Sequence, residues 1–147
     1  MDENAKNIPK KIVEYIKENR DKFDLIIFQK FINNENTPFY KFGWKRMMGP
    51  PETDFSPEMD KVEHTLFVRS TRSCLMDEKF KKLLEENKVD EIFLCGLNTD
   101  EAVISTAFDA YDLGYRINII ESLCATYNGK DSHDAAMKLL KEQFEVI

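Results

Sequence analysis

The sequence is poor in cysteine and has no closely spaced cysteine pair. Its three cysteines, Cys74, Cys95 and Cys124, are an odd number and lie far apart along the chain. A disulfide framework needs paired cysteines, and CxxC zinc or redox sites need short spacings, so neither is indicated. We therefore expect buried, inert thiols and no cofactor.

Histidine is equally scarce. The two histidines, His64 and His133, are distant in sequence, whereas protein metal sites gather several ligands of this kind. We expect His64 at the surface near a strand end and His133 in the first turn of a helix. The sequence predicts no metal site.

The chain also lacks a long apolar run and a surplus of basic residues. No apolar run approaches the ~20 residues that a helix needs to cross a bilayer, and no signal-type segment opens the chain. The net charge of −6 and the pI of about 5.0 argue against nonspecific binding to nucleic acid or anionic lipid, because both need a basic surface. We expect a cytoplasmic protein with neither kind of partner.

The length and the apolar content favour one domain. The chain has 147 residues, of which 42% are hydrophobic, which is enough for one core and too little for two ordinary domains. We predict a single domain over residues 1–147.

The stretch from Glu91 to Glu121 predicts a strand, a tight turn, a helix and a second strand. Residues 92–95 form a short apolar run typical of a buried strand, and Gly96 ends it. Thr99 is predicted to be the helix N-cap, and Gly114 the residue that closes the helix before a strand over 115–120. This βαβ unit places the turn at the carboxyl end of a parallel strand, where such sheets usually bind ligands.

Other patterns extend the alternation of helices and strands along the chain. Asn7 is a predicted cap with Pro9 in the first helical turn, and Asp131 is the predicted cap of the last helix. Cys124 falls in a predicted loop over 124–130. Helices are predicted over 7–20, 77–86 and from 131 onward, and strands over 24–28, 64–68 and 144–147. Alternation at this spacing indicates an α/β fold with a largely parallel sheet.

Residues 29–60 form a long irregular segment that is rich in proline and aromatic residues. It holds four of the five prolines, and its aromatic residues include Phe39 and Trp44. Long loops in compact domains are usually functional. Two interpretations stay open, namely a wall of a substrate pocket and a satellite core beneath a long loop.

Three segments resemble the signature of the isochorismatase-like cysteine hydrolases. Residues 95–103, Cys-Gly-Leu-Asn-Thr-Asp-Glu-Ala-Val, are similar to the family pattern G-V-x-T-D-x-C-V and continue into Thr-Ala-Phe-Asp-Ala. Residues 68–75, Val-Arg-Ser-Thr-Arg-Ser-Cys-Leu, resemble V-x-K-x-x-Y-S-A-F, and the His-Asp-Ala-Ala segment at 133–136 resembles H-x-x-A. The resemblance implies a three-layer α/β fold with a mostly parallel sheet flanked by helices.

The resemblance also implies a catalytic triad, which this chain does not preserve. Family members use a cysteine at a helix N-terminus, a lysine, and an aspartate on the first strand. The nucleophile position is Ala102 and the lysine position is Arg69. An oxyanion hole would come from backbone N–H groups near Asn98 and Ala102, in a turn that the family shapes with a cis peptide, here between Leu97 and Asn98.

The first strand of the family, with its aspartate, has no counterpart in this sequence. The match resumes near Asp2, just downstream of that strand, which lies in the middle of the family's sheet. Three interpretations stay open: a longer form contains the strand, the neighbouring strands pair directly, or a partner chain supplies the strand. Relatives often associate, so we also expect a homo-oligomer.

Two functional hypotheses follow, with a nonfunctional fragment as a third option. The first is a family member without hydrolase activity that binds a small molecule. Its predicted pocket residues are Arg69, Asn98, Thr99, Phe39 and Trp44. The second is an active hydrolase of a small amide that uses a displaced thiol, Cys74 or Cys124. Some relatives bind a metal through a loop that here, over 29–36, has no histidine.

Overall fold

A computed structural model describes residues 3–147, so residues 1 and 2 of the predicted domain lie outside the described part of the chain. Helices and strands alternate along it. In chain order they are α1 (Glu3–Asn19), β1 (Ile27–Phe31), α2 (Pro38–Lys41), β2 (Thr65–Arg69), α3 (Glu78–Glu86), β3 (Glu91–Leu97), α4 (Ile104–Asp112), β4 (Arg116–Ala125), α5 (Lys130–Gln143) and β5 (Glu145–Val146).

All strand pairs in residues 3–147 are parallel, and the strands form two sheets. One sheet has the order β1-β2, and the other has the order β3-β4-β5. Helices pack on both faces, so the predicted α/β class with parallel sheets flanked by helices is confirmed. No ladder joins β1 to β3, so the interpretation in which these strands pair directly is wrong for this structure.

Helix α1 begins earlier than the capping signal predicts. It starts at Glu3, so Asn7 is not its cap and Pro9 lies inside the helix. The apolar face explains the difference, because buried Ala5 and Ile8 continue the three- and four-residue spacing of Ile12 toward the N-terminus. Packing of this face outweighs the local preference of proline for a first turn.

Other element boundaries also differ from the predictions. Strand β1 begins at Ile27 rather than at residue 24. Helix α5 starts at Lys130, and its N-cap position is Gly129, whose φ of 100° suits glycine, so Asp131 is a first-turn residue and not the cap. Strand β4 extends to Ala125 and includes Cys124, which was expected in a loop. Pairing of Cys124 with Gly96 across the sheet lengthens β4 past a register shift.

The core consists of two apolar clusters on opposite faces of the strands. Helices α3, α4 and α5 cover one face. The buried residues of this first cluster include Cys74, Phe80, Leu84, Ala107, Ile119 and Leu140. Helix α1 covers the other face. The second cluster includes Ile8, Ile12, Ile16, Phe28, Ile120 and Leu123.

A membrane-spanning helix needs both sufficient length and sufficient hydropathy, and the helices of residues 3–147 can be judged on both. None of them meets both conditions.

Neighbouring leucines on α5 allow a matched test of the first cluster. Leu140 is fully buried, whereas Leu139 is 49% exposed. We predict that Leu140→Ala lowers the free energy of unfolding by about 2–5 kcal/mol, because it leaves a cavity in the core. Leu139→Ala should lower it by less than about 1 kcal/mol. Urea unfolding followed by circular dichroism measures both, and equal losses would contradict the assigned packing of α5.

Candidate functional site

The turn that follows β3 has the backbone geometry that the sequence predicts. The peptide bond between Leu97 and Asn98 is cis, which confirms the expectation. The backbone carbonyl of Asn98 accepts hydrogen bonds from the N–H groups of Glu101 (3.1 Å) and Val103 (3.2 Å). These bonds wind a π-helical turn over Thr99–Val103 that leads directly into α4.

Thr99 is not the helix cap that the sequence predicts. The N-cap position is Asn98, and the Thr99 side chain points instead to α5, where its Oγ1 lies 2.9 Å from Nδ1 of His133. Thr99 is fully buried. Because a buried hydroxyl needs a partner, a histidine supplied from 34 residues away outweighs the local capping bond.

Other polar atoms of the turn also bind within the protein. The Asn98 Nδ2 donates to Oε2 of Glu101 (3.2 Å), and its Oδ1 accepts from the backbone N–H of Tyr127 (3.2 Å). Asn128 Nδ2 donates to Oδ2 of Asp100 (2.9 Å). The Oδ1 atom of Asp100 is buried without a hydrogen-bond partner. The turn is therefore anchored to the loop before α5.

Ala102 lies three residues after Thr99 and is partly exposed. Its methyl group carries no nucleophile. The Thr99 hydroxyl of the same turn is bound to His133. Ser105 lies on the following helix, α4, where it lines an aromatic cavity beside the 38–44 segment. Position 102 itself therefore presents no side chain that can attack a carbonyl.

Arg69 ends β2 and lies largely inside the protein. Its Nη1 donates to the carbonyl of Thr71, its Cζ lies 5.4 Å from the ring centroid of Phe31, and its Nε is buried without a partner. Burial lowers the pKa of Arg69, while the nearby Cys74 thiol and Glu101 carboxylate raise it. Arginine nonetheless stays charged, so it can hold an anion but cannot exchange a proton readily.

Burial raises the pKa of all three thiols. Burial raises the pKa of Cys74 to about 11, although Arg69 and a hydrogen bond from Thr106 lower it. Burial also raises the pKa of both Cys95 and Cys124 to about 12. All three are free cysteines. The expectation of buried thiols holds for Cys74 and Cys124, whereas Cys95 retains partial exposure.

An aromatic cavity of about 630 Å³ lies between the 38–44 segment and α4. Phe39 and Trp44 contact each other with ring centroids 5.7 Å apart, and both contact Phe31. The guanidinium of Arg72 lies 4.8 Å from the Phe39 centroid. The walls are Pro38, Phe39, Phe42, Trp44, Thr71, Arg72, Ser73, Met76, Ser105, Phe108 and Asp109.

The structure divides the predicted site residues into two groups. Phe39 and Trp44 line the aromatic cavity, whereas Arg69 lies over the ring of Phe31, which contacts both of them. Asn98 and Thr99 instead bind the segment that borders a second cavity of about 810 Å³, lined by residues that include Tyr127, Lys130 and His133. The predicted single pocket is therefore not formed by all five residues together.

Asn33 organises the cavity wall and was missed by the sequence analysis. It is 1% exposed, and its Nδ2 donates to the carbonyls of Trp44 (2.9 Å) and Arg46 (3.0 Å). Its Oδ1 accepts from the backbone N–H of Asn34 and from the Thr37 hydroxyl. A single asparagine in a polar loop gives no sequence signal of this kind, because its partners lie up to 13 residues away.

Potential metal ligands do not converge in the described residues. Across residues 3–147, no group of three or more histidine, cysteine, aspartate or glutamate side chains has the geometry to hold a metal ion. His64 stacks on Phe28, with ring centroids 4.2 Å apart, and its Nδ1 lies 2.8 Å from the carbonyl oxygen of Val62. His133 contacts Thr99.

Comparison with known families assigns the chain to one of them. The family model described as the isochorismatase domain matches residues 2–147. The chain belongs to the isochorismatase family, and it is a homologue of that family's hydrolases.

Two curated relatives match shorter segments. A nicotinamidase of Escherichia coli strain K12 is 38% identical over 58 residues, which cover 38% of this chain and 27% of the relative. An isochorismatase family protein of Bacillus subtilis strain 168 is 33% identical over 76 residues, covering 49% of this chain and 42% of the relative. The matched segments thus span less than half the length of these relatives.

Solved structures match over nearly the whole chain. An isochorismatase-like hydrolase from Alkaliphilus metalliredigens superposes with a TM-score of 0.84 at 19% identity, covering 97% of this chain and 81% of the other. A pyrazinamidase/nicotinamidase from Streptococcus mutans UA159 superposes with a TM-score of 0.83 at 23% identity, covering 99% and 87%. These matches show that the fold is shared.

The role of Asn33 can be tested with Trp44, the single tryptophan of the chain. We predict that Asn33→Ala releases the carbonyls of Trp44 and Arg46 and costs about 1–3 kcal/mol of unfolding free energy. The tryptophan emission should also shift to longer wavelength as the indole becomes more exposed. Asn36→Ala is the matched control, because Asn36 is exposed and its hydrogen bond to Asn34 uses only its backbone N–H. An unchanged emission in Asn33→Ala would contradict the proposed anchoring.

Proposed function

We propose that this protein is a catalytically impaired member of the isochorismatase family that binds a small molecule without hydrolysing it. The observation that carries the proposal is Ala102, which stands in the turn before α4 with no reactive side chain. The fold of a hydrolase is retained around a turn that lacks a nucleophile.

The groups around this turn support the proposed loss of hydrolytic activity. Covalent hydrolysis by a thiol needs a thiolate, which forms at a low pKa near a cation or a helix N-terminus. The three native thiols instead have raised pKa values. Arg69 supplies a positive charge without an exchangeable proton. Neither Ala102 nor Arg69 therefore supplies the nucleophile or the exchangeable proton that thiol-dependent hydrolysis needs.

The aromatic cavity supports retained binding. Its volume of about 630 Å³ suits a small molecule, and rings of Phe39 and Trp44 offer faces for stacking. Arg72 and Asp109 in the same walls offer opposite charges. The family relatives include enzymes named as nicotinamidase and pyrazinamidase, so nicotinamide and pyrazinamide are the first probes.

The first test combines turnover with binding. We predict no detectable ammonia release from nicotinamide, pyrazinamide or a panel of small amides, together with quenching of Trp44 fluorescence by a ligand that binds. The ligand affinity measured by this quenching should weaken about tenfold in Phe39→Ala, because a stacking face is lost. Turnover by the native protein that disappears in Arg69→Ala would overturn the proposal.

The turn itself can be tested by restoring its thiol. We predict that Ala102→Cys introduces a cysteine that reacts with iodoacetamide at pH 7 about tenfold faster than the native thiols, because a helix N-terminus and nearby Arg69 favour the thiolate. Ser105→Cys, further along the chain on α4, is the matched control. Equal rates at the two positions would show that the turn does not activate a thiol. Mass spectrometry of tryptic peptides assigns each rate.

A displaced thiol is the second candidate function, and the position of Cys74 favours it over Cys124. Cys74 interacts with Arg69 and Thr106, so it lies beside the predicted site. With a pKa of about 11, its thiolate fraction at pH 7 is about 10⁻⁴, because each pH unit below the pKa reduces the fraction about tenfold.

This candidate predicts a steep pH dependence. The raised pKa means that the thiolate increases with pH, so any turnover through Cys74 should increase about tenfold per pH unit between pH 7 and pH 10. Cys74→Ala should abolish such turnover, while Cys124→Ala should preserve it. Activity that persists in Cys74→Ala would reject both the displaced thiol at Cys74 and the non-hydrolytic proposal.

A further inference from the structure

The aromatic cavity contains two opposite charges that have no ionic partner. Its walls carry one basic and one acidic side chain, Arg72 and Asp109. Arg72 lies in the loop after β2, and Asp109 lies on α4. Within residues 3–147, neither side chain forms a hydrogen bond or an ion pair, with the other or with any further residue. A neutral amide in this cavity would leave both charges unpaired.

The loop that carries Arg72 is fixed by its own hydrogen bonds. The Thr71 hydroxyl donates to the carbonyl of Ser73 (2.5 Å), and the Ser73 hydroxyl accepts from the backbone N–H of Leu75 (3.2 Å). The guanidinium of Arg72 lies over the ring of Phe39, 4.8 Å from its centroid. Because a guanidinium is planar, stacking on a ring leaves its N–H edge free to bind a carboxylate through two parallel hydrogen bonds.

Asp109 lies where a helix disfavours a carboxylate. It belongs to the last turn of α4, which ends at Asp112 and contains no basic residue. The carboxyl end of a helix carries a partial negative charge, so it repels the carboxylate of Asp109 and attracts cations. Asp109 is only partly exposed, which reduces its stabilisation by water. A ligand cation beside Asp109 would therefore be stabilised both by the carboxylate and by the end of the helix.

Trp44 gives the cavity an aromatic surface for the body of a ligand. Its side chain is 42% exposed and lines the same cavity. Arg72 already covers part of the Phe39 ring, so the indole is the more accessible surface for stacking. The volume of about 630 Å³ accommodates a single ring with charged substituents. The cavity thus combines an aromatic ring, a cation and an anion from three separate segments.

We propose that the aromatic cavity binds a zwitterionic aromatic molecule, a single ring that carries one carboxylate and one ammonium group. The carboxylate binds Arg72, the ammonium binds Asp109, and the ring stacks on Trp44. This ligand class rests on the proposed function, because it requires that the cavity binds a small molecule. Two charge arrangements share the chemistry. An aromatic α-amino acid has its charges close together, whereas an aminomethylbenzoate has them on opposite sides of the ring.

Matched ligands separate the contribution of each charge. L-Phenylalanine and para-aminomethylbenzoate carry both charges, phenylpropanoate carries only the carboxylate, phenylethylamine carries only the ammonium, and nicotinamide is neutral. Isothermal titration calorimetry measures their binding to the full chain at pH 7. We expect one of the two zwitterions to bind at least about tenfold more tightly than either singly charged molecule, because each of those lacks one charge-assisted hydrogen bond. The tighter zwitterion identifies the charge arrangement that the cavity selects.

Two variants assign each ligand charge to its partner. Arg72→Gln should weaken the binding of phenylpropanoate about tenfold and leave phenylethylamine unchanged, while Asp109→Asn should do the reverse. A damaged cavity would lose both ligands together, so this crossover distinguishes charge recognition from misfolding. Arg116→Gln and Asp112→Asn are the matched controls, because both residues are exposed and lie outside the cavity walls. These controls should bind every ligand as the native chain does.

Three results would overturn the zwitterionic ligand: zwitterions that bind no more tightly than singly charged molecules, no crossover between Arg72→Gln and Asp109→Asn, or controls that weaken binding as much as these variants. If nicotinamide binds without turnover in any of these cases, the proposed function still stands. Ammonia release from an amide by a chain that shows the crossover would instead remove the proposed lack of hydrolysis and keep the ligand class. Binding of none of the molecules would overturn the ligand class and the proposed binding function together.

Discussion

The packing of α1 is the interaction on which the rest of the structure depends. The two sheets share no backbone ladder within residues 3–147, so their relative position rests on side chains. Ile8, Ile12 and Ile16 of α1 cluster with Phe28 of β1 and Ile120 of β4, and thereby connect one sheet to the other. Burial of apolar area is non-directional. It therefore holds the strands side by side without the hydrogen bonds that would join them.

Contacts outside position 102 hold the turn before α4 in place. The turn is anchored by contacts that do not involve Ala102: Thr99 with His133, and Asn98 with Tyr127. Because these contacts tie β3 to α5, the turn keeps its position whichever residue stands at 102. The backbone geometry of the turn therefore does not depend on the side chain at position 102, whereas the reactivity of the turn does.

The aromatic cavity depends on a different set of contacts from the turn. Asn33 binds the carbonyls of Trp44 and Arg46, and the ring of Phe31 contacts Phe39 and Trp44 as well as the Arg69 guanidinium. The shape of the cavity therefore does not depend on the side chain at position 102. Of the two interpretations of the 29–60 segment, a pocket wall and a satellite core, the structure combines features of both, since its aromatic side chains pack together and also line a cavity.

The sequence by itself determined the α/β class, the βαβ unit over 91–121, the family and the lack of a nucleophile at Ala102. These depend on local periodicity, on glycine positions and on side-chain identity, which neighbouring residues largely encode. Only the tertiary structure decided that Thr99 contacts His133 instead of capping α4, that Cys124 extends β4, that Asn33 anchors the cavity wall, and that β1 and β3 stay unpaired. Each of these depends on partners distant in sequence, because strand pairing and burial of polar groups are settled by packing rather than by local preference.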